Sequence, residues 1–264
     1  MLEPGAADRD VAEAMAHYRA HGWARLERVF SEGWLAALRE RADDLMLGRV
    51  VHDGMFFQHD APTGRYEDLT HGEGWVGPSL AYRKLEKLER DDRFLAHIQN
   101  PLFERIARQT IPGDIAIYRA VLFNKSSEGS SPLPWHQDAG RFWGLDRDPD
   151  LQVWTALDDA TERSGCVEVL PGSHHAGLAT PLGGVVPRDV LDRHEADRHA
   201  VSIPARAGDV LLLHNHVWHR SGANTSGSPR RAVTICYMSA ATRCLRTRRA
   251  PRSFVRVFSA YENG

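Results

Sequence analysis

Trp135-His136-Gln137-Asp138 sets an imidazole and a carboxylate one residue apart. On an extended strand such a pair points to one side, so both groups can reach one ion. One imidazole and one carboxylate make half a metal site. A second histidine completes the three-ligand face used by non-haem Fe(II) oxygenases, leaving the opposite coordination positions open. His219 fits that part: it follows the predicted strand Asp209 to Trp218 and precedes the Ser221-Gly222 turn, where a strand end can deliver a ligand to a barrel mouth. Arg230 comes next, opening the predicted strand Arg231 to Met238. A planar guanidinium binds a carboxylate through two parallel hydrogen bonds, which suits the far end of a dicarboxylate co-substrate whose 2-oxo acid chelates iron. A His-x-Asp pair alone is weak evidence, and it is the set of four that points to chemistry.

Other histidines are expected to do quieter work. His214 and His216, on the same predicted strand as His219, face the opposite side and read as packing or supporting groups. His174 follows the Pro171-Gly172 turn and reads as a donor that stabilises it.

The elements that must position these groups are short apolar strands from Ile115 onward, separated by turn signals, as in an antiparallel sandwich or barrel. The strands predicted are Ile115 to Phe123, Gln152 to Leu157, Cys166 to Leu170, Asp209 to His214 (running on to Trp218) and Arg231 to Met238. The N-terminal third is helical by spacing. Val11, Ala14, Met15 and Tyr18 follow a cap at Asp8 and stop at His21-Gly22, and a second helix starts at Ser31 and closes at Gly48. Trp23 to Phe30 alternates like a strand, and a helical pair follows from Asp92 and from Asn100-Pro101. Gly48 to Pro78, Ala139 to Asp150 and Leu178 to Ala200 lack periodicity and read as loops around a substrate entrance. The class is mainly β with flanking helices.

At 264 residues one core is expected. With 42% hydrophobic residues and no apolar run of bilayer length, a membrane protein is not expected. Met1 to Asp10 lacks the basic start and apolar stretch of a secretory signal, and three cysteines (Cys166, Cys236, Cys244) suit reduced thiols, so a cytoplasmic chain without disulfides is expected. A net charge of -2 argues against nucleic acid as a partner; Arg243, Arg246, Arg248, Arg249, Arg252 and Arg256 read as a solvated face.

From about Lys84 to Met238 the chain resembles the phytanoyl-CoA dioxygenase family, a branch of the Fe(II)/2-oxoglutarate oxygenases. The matching pieces are Lys84-Leu85-Glu86, Leu122-Phe123-Asn124-Lys125, Trp135-His136-Gln137-Asp138, Val153-Trp154-Thr155-Ala156-Leu157, Gly165 to His174, Gly208-Asp209-Val210, and His219-Arg220-Ser221-Gly222 followed by Arg230. The resemblance implies a double-stranded β-helix (a cupin-like jelly roll) with N-terminal helices packed on its outer sheet. Within one oxygenase domain, 1–110 would be helices and a lid loop, 111–240 the core and 241–264 an extension. It implies that His136, Asp138 and His219 bind Fe(II), and that Arg230 grips 2-oxoglutarate. Lys84, Asn124, Gln137, Trp154 and Ser221 would line the co-substrate pocket, with O2 as the second co-substrate. The bland readings stand beside these: Lys84 lies in a charged stretch that reads as a solvated helical face, and Trp154 could be core filler. Related halogenases carry a small residue in place of Asp138, so halogenation is disfavoured.

The aperiodic segments carry His52, Phe56, Phe57, Gln58, His59, Arg65, Tyr66, His71 and Trp75, then Arg141, Phe142, Trp143 and Asp146. Rings mixed with hydrogen-bonding groups suit a polar, ring-bearing substrate such as a sugar or glycoside; a tunnel for an acyl thioester would be more uniformly apolar. His52, Phe56, Arg141, Phe142 and Trp143 are the candidate substrate contacts, although ordinary loop residues would look the same. By resemblance to bacterial family members that tailor secondary metabolites, the expected reaction is hydroxylation or oxidative ring closure. Three alternatives remain open: a hydroxylase of acyl thioesters (acyl-CoA or carrier-bound), a non-catalytic ligand-binding jelly roll, and a hydrolase or isomerase using the same ligands on zinc or manganese, for which Arg230 would have no use.

Overall fold

The computed structural model describes residues 4–70, 72, 74–127, 130–149, 151–247 and 252–260. His71, Arg248 and Arg249, singled out above, lie outside the described residues. Helices α1 (Pro4–His21), α2 (Glu32–Met46), α3 (Asp92–Ile98) and α4 (Pro101–Ala107) fill the N-terminal part, with strands β1 (Trp23–Leu26), β2 (Phe56–His59) and β3 (Tyr82–Glu86) between them. Then come β4 (Ile115–Lys125), β5 (Leu133–Gln137), β6 (Leu151–Ala156), β7 (Val167–Val169) and β8 (Gly184–Val185). Two short helices, α5 (Arg188–Arg193) and α6 (Ala196–His199), precede β9 (Val201–Ile203), β10 (Val210–His214), β11 (His219–Ser221), β12 (Arg230–Ser239) and β13 (Val255–Phe258).

These strands form two antiparallel sheets, β1-β10-β6-β12-β4-β3-β2 with β13 also on β4, and β8-β5-β11-β7-β9. This is the double-stranded β-helix. Alternation decides which side chains face the cavity between the sheets. Val233, Ile235 and Tyr237 of β12 point outward into a core with Leu35, Leu38 and Leu45 of α2, Phe94 of α3 and Phe103 of α4. Their neighbours Ala232 and Thr234, with Trp154 of β6, point inward. The helices therefore close the outer face of the larger sheet and leave its inner face for the site.

Local chemistry sets the helix starts. The Ser31 hydroxyl accepts from the Trp34 amide, Asp91 from the amides of Arg93 and Phe94, and Asn100 from Leu102 with Pro101 in the first turn. Asp8 lies inside α1 and is not its cap, because the helix begins at Pro4. Three other expectations need correction. Lys84 sits on β3, not on a helix: Leu85 is buried in the core while Lys84 and Glu86 share the other face, a two-residue period that the dense charge had masked. Asp209 to Trp218 is not one strand, since it breaks after His214 and passes to the other sheet through a turn in which the Val217 amide donates to the His214 carbonyl. Leu178 to Ala200 contains β8, α5 and α6 instead of being irregular.

The described C-terminal arginines, Arg243, Arg246, Arg252 and Arg256, are exposed as expected, and they also make specific contacts. Arg243 pairs with Asp146 at 3.0 Å, Arg246 donates to the Phe142 and Trp143 carbonyls, Arg252 lies over the Tyr118 ring and Arg256 pairs with Asp114 at 2.7 Å. They fasten the tail to the barrel and to the segment after Asp138. None of the three cysteines is in a disulfide, and among the described residues no helix is long and apolar enough to cross a membrane.

Candidate active site

His136 on β5 and His219 on β11 are direct partners across the antiparallel ladder, and their rings stand 4.0 Å apart by centroid. Asp138 lies one residue past β5. Its backbone is held by Asn215, whose carbonyl accepts from the Asp138 amide at 3.0 Å and whose side-chain amide donates to the Asp138 carbonyl at 2.7 Å. The carboxylate oxygens lie 3.9 Å from Nε2 of each histidine, and one ligand atom from each residue falls within 4.8 Å of the others. The three side chains can hold one metal ion.

The backbone prepares the imidazoles for that. His136 Nδ1 lies 2.8 Å from the Pro134 carbonyl and His219 Nδ1 lies 3.0 Å from the Val217 carbonyl. A carbonyl only accepts, so each Nδ1 carries the proton and each Nε2 keeps its lone pair for a metal. Burial, reinforced by His219, pulls the His136 pKa down to about 4, which keeps it neutral at physiological pH. Burial would raise the Asp138 carboxyl, but Arg119 and the two imidazoles outweigh it and hold the group far below the usual carboxylate range. Arg119 donates to Asp138 Oδ2 at 3.1 Å and stacks over Trp143 at 4.8 Å.

A cavity of about 470 Å³ reaches from the three ligands to Arg230. Arg230 is 2% exposed; one terminal nitrogen donates to the Gly165 carbonyl at 2.7 Å, while Nε is buried without a partner. Burial lowers its pKa to about 10. The acid beside it, Asp158, is taken by Arg231 through contacts of 2.8 and 3.1 Å. A buried cation with an unspent donor, across a cavity from three metal-type ligands, fits the distal carboxylate of a chelating dicarboxylate. Gly165 must be glycine here: its φ is +72°, and a Cβ would stand 2.3 Å from the Gly222 carbonyl oxygen.

Residues 18–232 match the family model described as phytanoyl-CoA dioxygenase (PhyH). The chain belongs to the phytanoyl-CoA dioxygenase family. It is therefore a non-haem iron dioxygenase that uses Fe(II), 2-oxoglutarate and O2. The chain is 31% identical over 159 residues to phytanoyl-CoA dioxygenase domain-containing protein 1 of Danio rerio, over 54% of this chain and about half, 54%, of that protein. To L-proline trans-4-hydroxylase of Streptomyces griseoviridis it is 24% identical over 249 residues, 85% of each. The fold is similar to that of the epimerase SnoN, solved in complex with Fe3+, alpha ketoglutarate and nogalamycin RO, with a TM-score of 0.69, 20% identity, and 92% of this chain and 87% of that one covered.

The family's other expected co-substrate contacts fall in different places. Trp154 lines the cavity, its ring 5.8 Å from the Arg230 guanidinium, and Ser221 lines it from β11. Lys84 also lines it, pairs with Glu86 and lies over Phe56 and Phe123. Asn124 is at the wall, but its amide nitrogen is spent on the Leu80 and Tyr82 carbonyls, which anchor β3. Gln137 is likewise committed: it donates to the Gly177 and His216 carbonyls and accepts from the Ala179 amide, tying the loop before β8 to the turn before His219.

Of the candidate substrate contacts, Phe142 and Trp143 line the cavity, and Phe56 borders it through Lys84. His52 does not: it binds Asp91 at 2.9 Å, at the start of α3. Arg141 is exposed on the outer side of its loop and does not line the cavity. His214 and His216 stay away from the ligands, His216 on Asp148 at 2.9 Å, and His174 donates to the Arg19 carbonyl at 3.1 Å. Inward-facing residues that sequence reasoning passed over are Arg119, Gln152 and Lys125. Gln152 makes no hydrogen bond of normal geometry although buried beside Asp138. Two-residue periodicity from Phe123 would have pointed to Arg119 and Lys125.

Proposed function

We propose that this enzyme oxidises a C–H bond of a small polar molecule, by hydroxylation or oxidative ring closure, and that the substrate is a sugar-containing natural product of antibiotic-type biosynthesis. The observation that carries the reaction class to individual residues is a single cavity lined by His136, Asp138 and His219 and by Arg230, whose Nε is buried with no partner among the described residues. His136, Asp138 and His219 hold Fe(II), and Arg230 holds the distal carboxylate of 2-oxoglutarate. When bound, the iron, the co-substrate and O2 together supply a two-electron oxidation of the substrate, with succinate and carbon dioxide as co-products. The protein's own part is positional. Pro134 and Val217 fix the imidazoles, Arg119 holds one oxygen of Asp138 so that the other faces the metal, and Trp154 walls the co-substrate. The mixed lining supports the substrate reading: Gln58, Tyr66, Glu67 and Thr70 stand with Leu69, Phe142 and Trp143, a mixture suited to hydroxyl-bearing rings. SnoN, from nogalamycin biosynthesis, supports the setting by likeness of fold. We take the chain as one oxygenase domain acting in the cytoplasm.

Anaerobic addition of 2-oxoglutarate to the Fe(II) protein tests the residue assignment. A visible iron-to-oxoacid charge-transfer band is expected, lost in Asp138→Ala and weakened in Arg230→Ala; succinate release that survives Asp138→Ala refutes it. Succinate release screened against glycosides and acyl thioesters tests the substrate class, and faster turnover with the thioesters would overturn it.

A further inference from the structure

Arg230 has a second basic side chain beside it. It is the direct partner of Lys125 across the β4–β12 ladder, so the two side chains leave the sheet side by side on its inner face. Both are buried and both line the same end of the cavity. Lys125 Nζ donates to the Ser131 carbonyl at 3.2 Å. Among the described residues, the acids that act on the pair are committed elsewhere. Asp60 accepts from the Ser131 amide at 3.0 Å and pairs with Arg83 at 3.4 Å, while Asp158 is held by Arg231. Two further polar atoms in this corner, Arg230 Nε and the Ser131 hydroxyl, are buried without partners among the described residues. Like charges side by side on a sheet are destabilising, and buried ones more so, unless an anion joins them.

We infer that Lys125 and Arg230 form a two-cation clamp for the distal carboxylate of 2-oxoglutarate, and that Lys125 takes up a proton as the co-substrate enters. The inference rests on the 2-oxoglutarate reading above. Without the anion, Lys125 is flanked by Arg230 from β12 and Arg83 from β3, with Asp60 as the opposing charge. Burial first, then those two guanidiniums, bring its pKa down to about 6, so the amine is mainly neutral at pH 7.5. A carboxylate placed between the amine and the guanidinium reverses the sign of the local potential, and the ammonium returns with one proton drawn from solvent.

Calorimetric titration of the Mn(II)-loaded protein with 2-oxoglutarate at pH 7.5, in phosphate and in Tris buffer, reads affinity and proton uptake together. Wild type is expected to take up close to one proton. Lys125→Met, and Lys125→Gln, which keeps a donor for the Ser131 carbonyl, are expected to take up none and to bind about ten- to a hundred-fold more weakly. Pyruvate, which chelates the metal but lacks the distal carboxylate, should bind all three proteins equally and without uptake. That arm separates a charge effect from a distorted pocket. Wild-type affinity in Lys125→Gln, or equal proton uptake in all three, overturns the clamp. Failure of the wild type to bind 2-oxoglutarate at all would instead bring down the co-substrate reading, and the clamp with it.

Discussion

Replacing Arg230 by methionine is expected to move stability and co-substrate affinity in opposite directions. Burial lowers the guanidinium pKa to about 10, well below its ordinary value, and at about 1.4 kcal/mol per pH unit the charged form destabilises the ligand-free fold by roughly 3 kcal/mol. A base with a depressed pKa carries that penalty at every pH below it, so the effect is constant from pH 6 to about 9. Methionine removes it and also removes the hydrogen bond to the Gly165 carbonyl, worth about 1–2 kcal/mol, for a net gain of about 1–2 kcal/mol. For a chain of this size that raises Tm by about 2–6 °C. On the ligand side, losing a buried charge pair costs about 3–5 kcal/mol, raising Kd for 2-oxoglutarate by about two to three and a half orders of magnitude. Thermal unfolding of the Mn(II) protein with and without 2-oxoglutarate reads both effects. At a ligand concentration near a hundred times the wild-type Kd, the wild type gains about 2.7 kcal/mol and the variant less than about 0.5. A variant that melts several degrees lower without ligand, or that keeps the ligand-induced shift, refutes the reasoning.

His97 is buried between Trp34 and Thr155, and burial holds its pKa at about 3. Because the folded value lies below the unfolded 6.5, its contribution to stability is intact above pH 6.5 and is lost as pH falls towards 3, by about 2–3 kcal/mol at pH 4.5. Urea melts at pH 7.0 and 4.5 should show this loss, and His97→Gln should lessen it; an unchanged slope would show that another group titrates. Gly183→Ala puts a Cβ 1.8 Å from the Ala139 carbonyl oxygen at a φ of +72°, next to the metal ligands; a loss of about 2–4 kcal/mol and weaker Fe(II) binding are expected by urea melt and metal titration. Gln137→Leu leaves the Gly177 and His216 carbonyls and the Ala179 amide without their partner, with an expected cost of about 2–4 kcal/mol in urea melts, and with pyruvate affinity falling as much as 2-oxoglutarate affinity. A selective fall for 2-oxoglutarate would instead make Gln137 a direct contact.

The parts of this molecule legible in the sequence are those governed by short-range chemistry. Ser31, Asn100-Pro101 and the alternation of Ile115 to Phe123 have local causes, and they fall where the spacing puts them. His136 and Asp138 share a strand direction, so their side chains converge as two-residue spacing requires. What was hidden depends on neighbours distant in sequence. The charges of Arg83 to Glu86 read as a helix face until β2 and β4 flank them, and Lys125 gains meaning only when Arg230 is set beside it. His52 looked like a pocket residue because its segment lacks periodicity; Asp91, on another element, draws it away. The arginine tail is solvent-facing as its composition suggests, but its surface pairs with Asp146 and Asp114 were hidden because those partners are more than ninety residues distant.

Each imidazole proposed as a metal ligand is braced by the carbonyl two positions before it on its own stretch of chain, Pro134 for His136 and Val217 for His219. Their aim is thus written into main-chain geometry and needs no supporting side chain elsewhere. Exchanging residues around the cavity to admit new substrates should leave the donors pointing as they do, whereas inserting or deleting a residue in either stretch should swing them apart. That makes the barrel a forgiving scaffold for redesigning selectivity and an unforgiving one for changes in strand length.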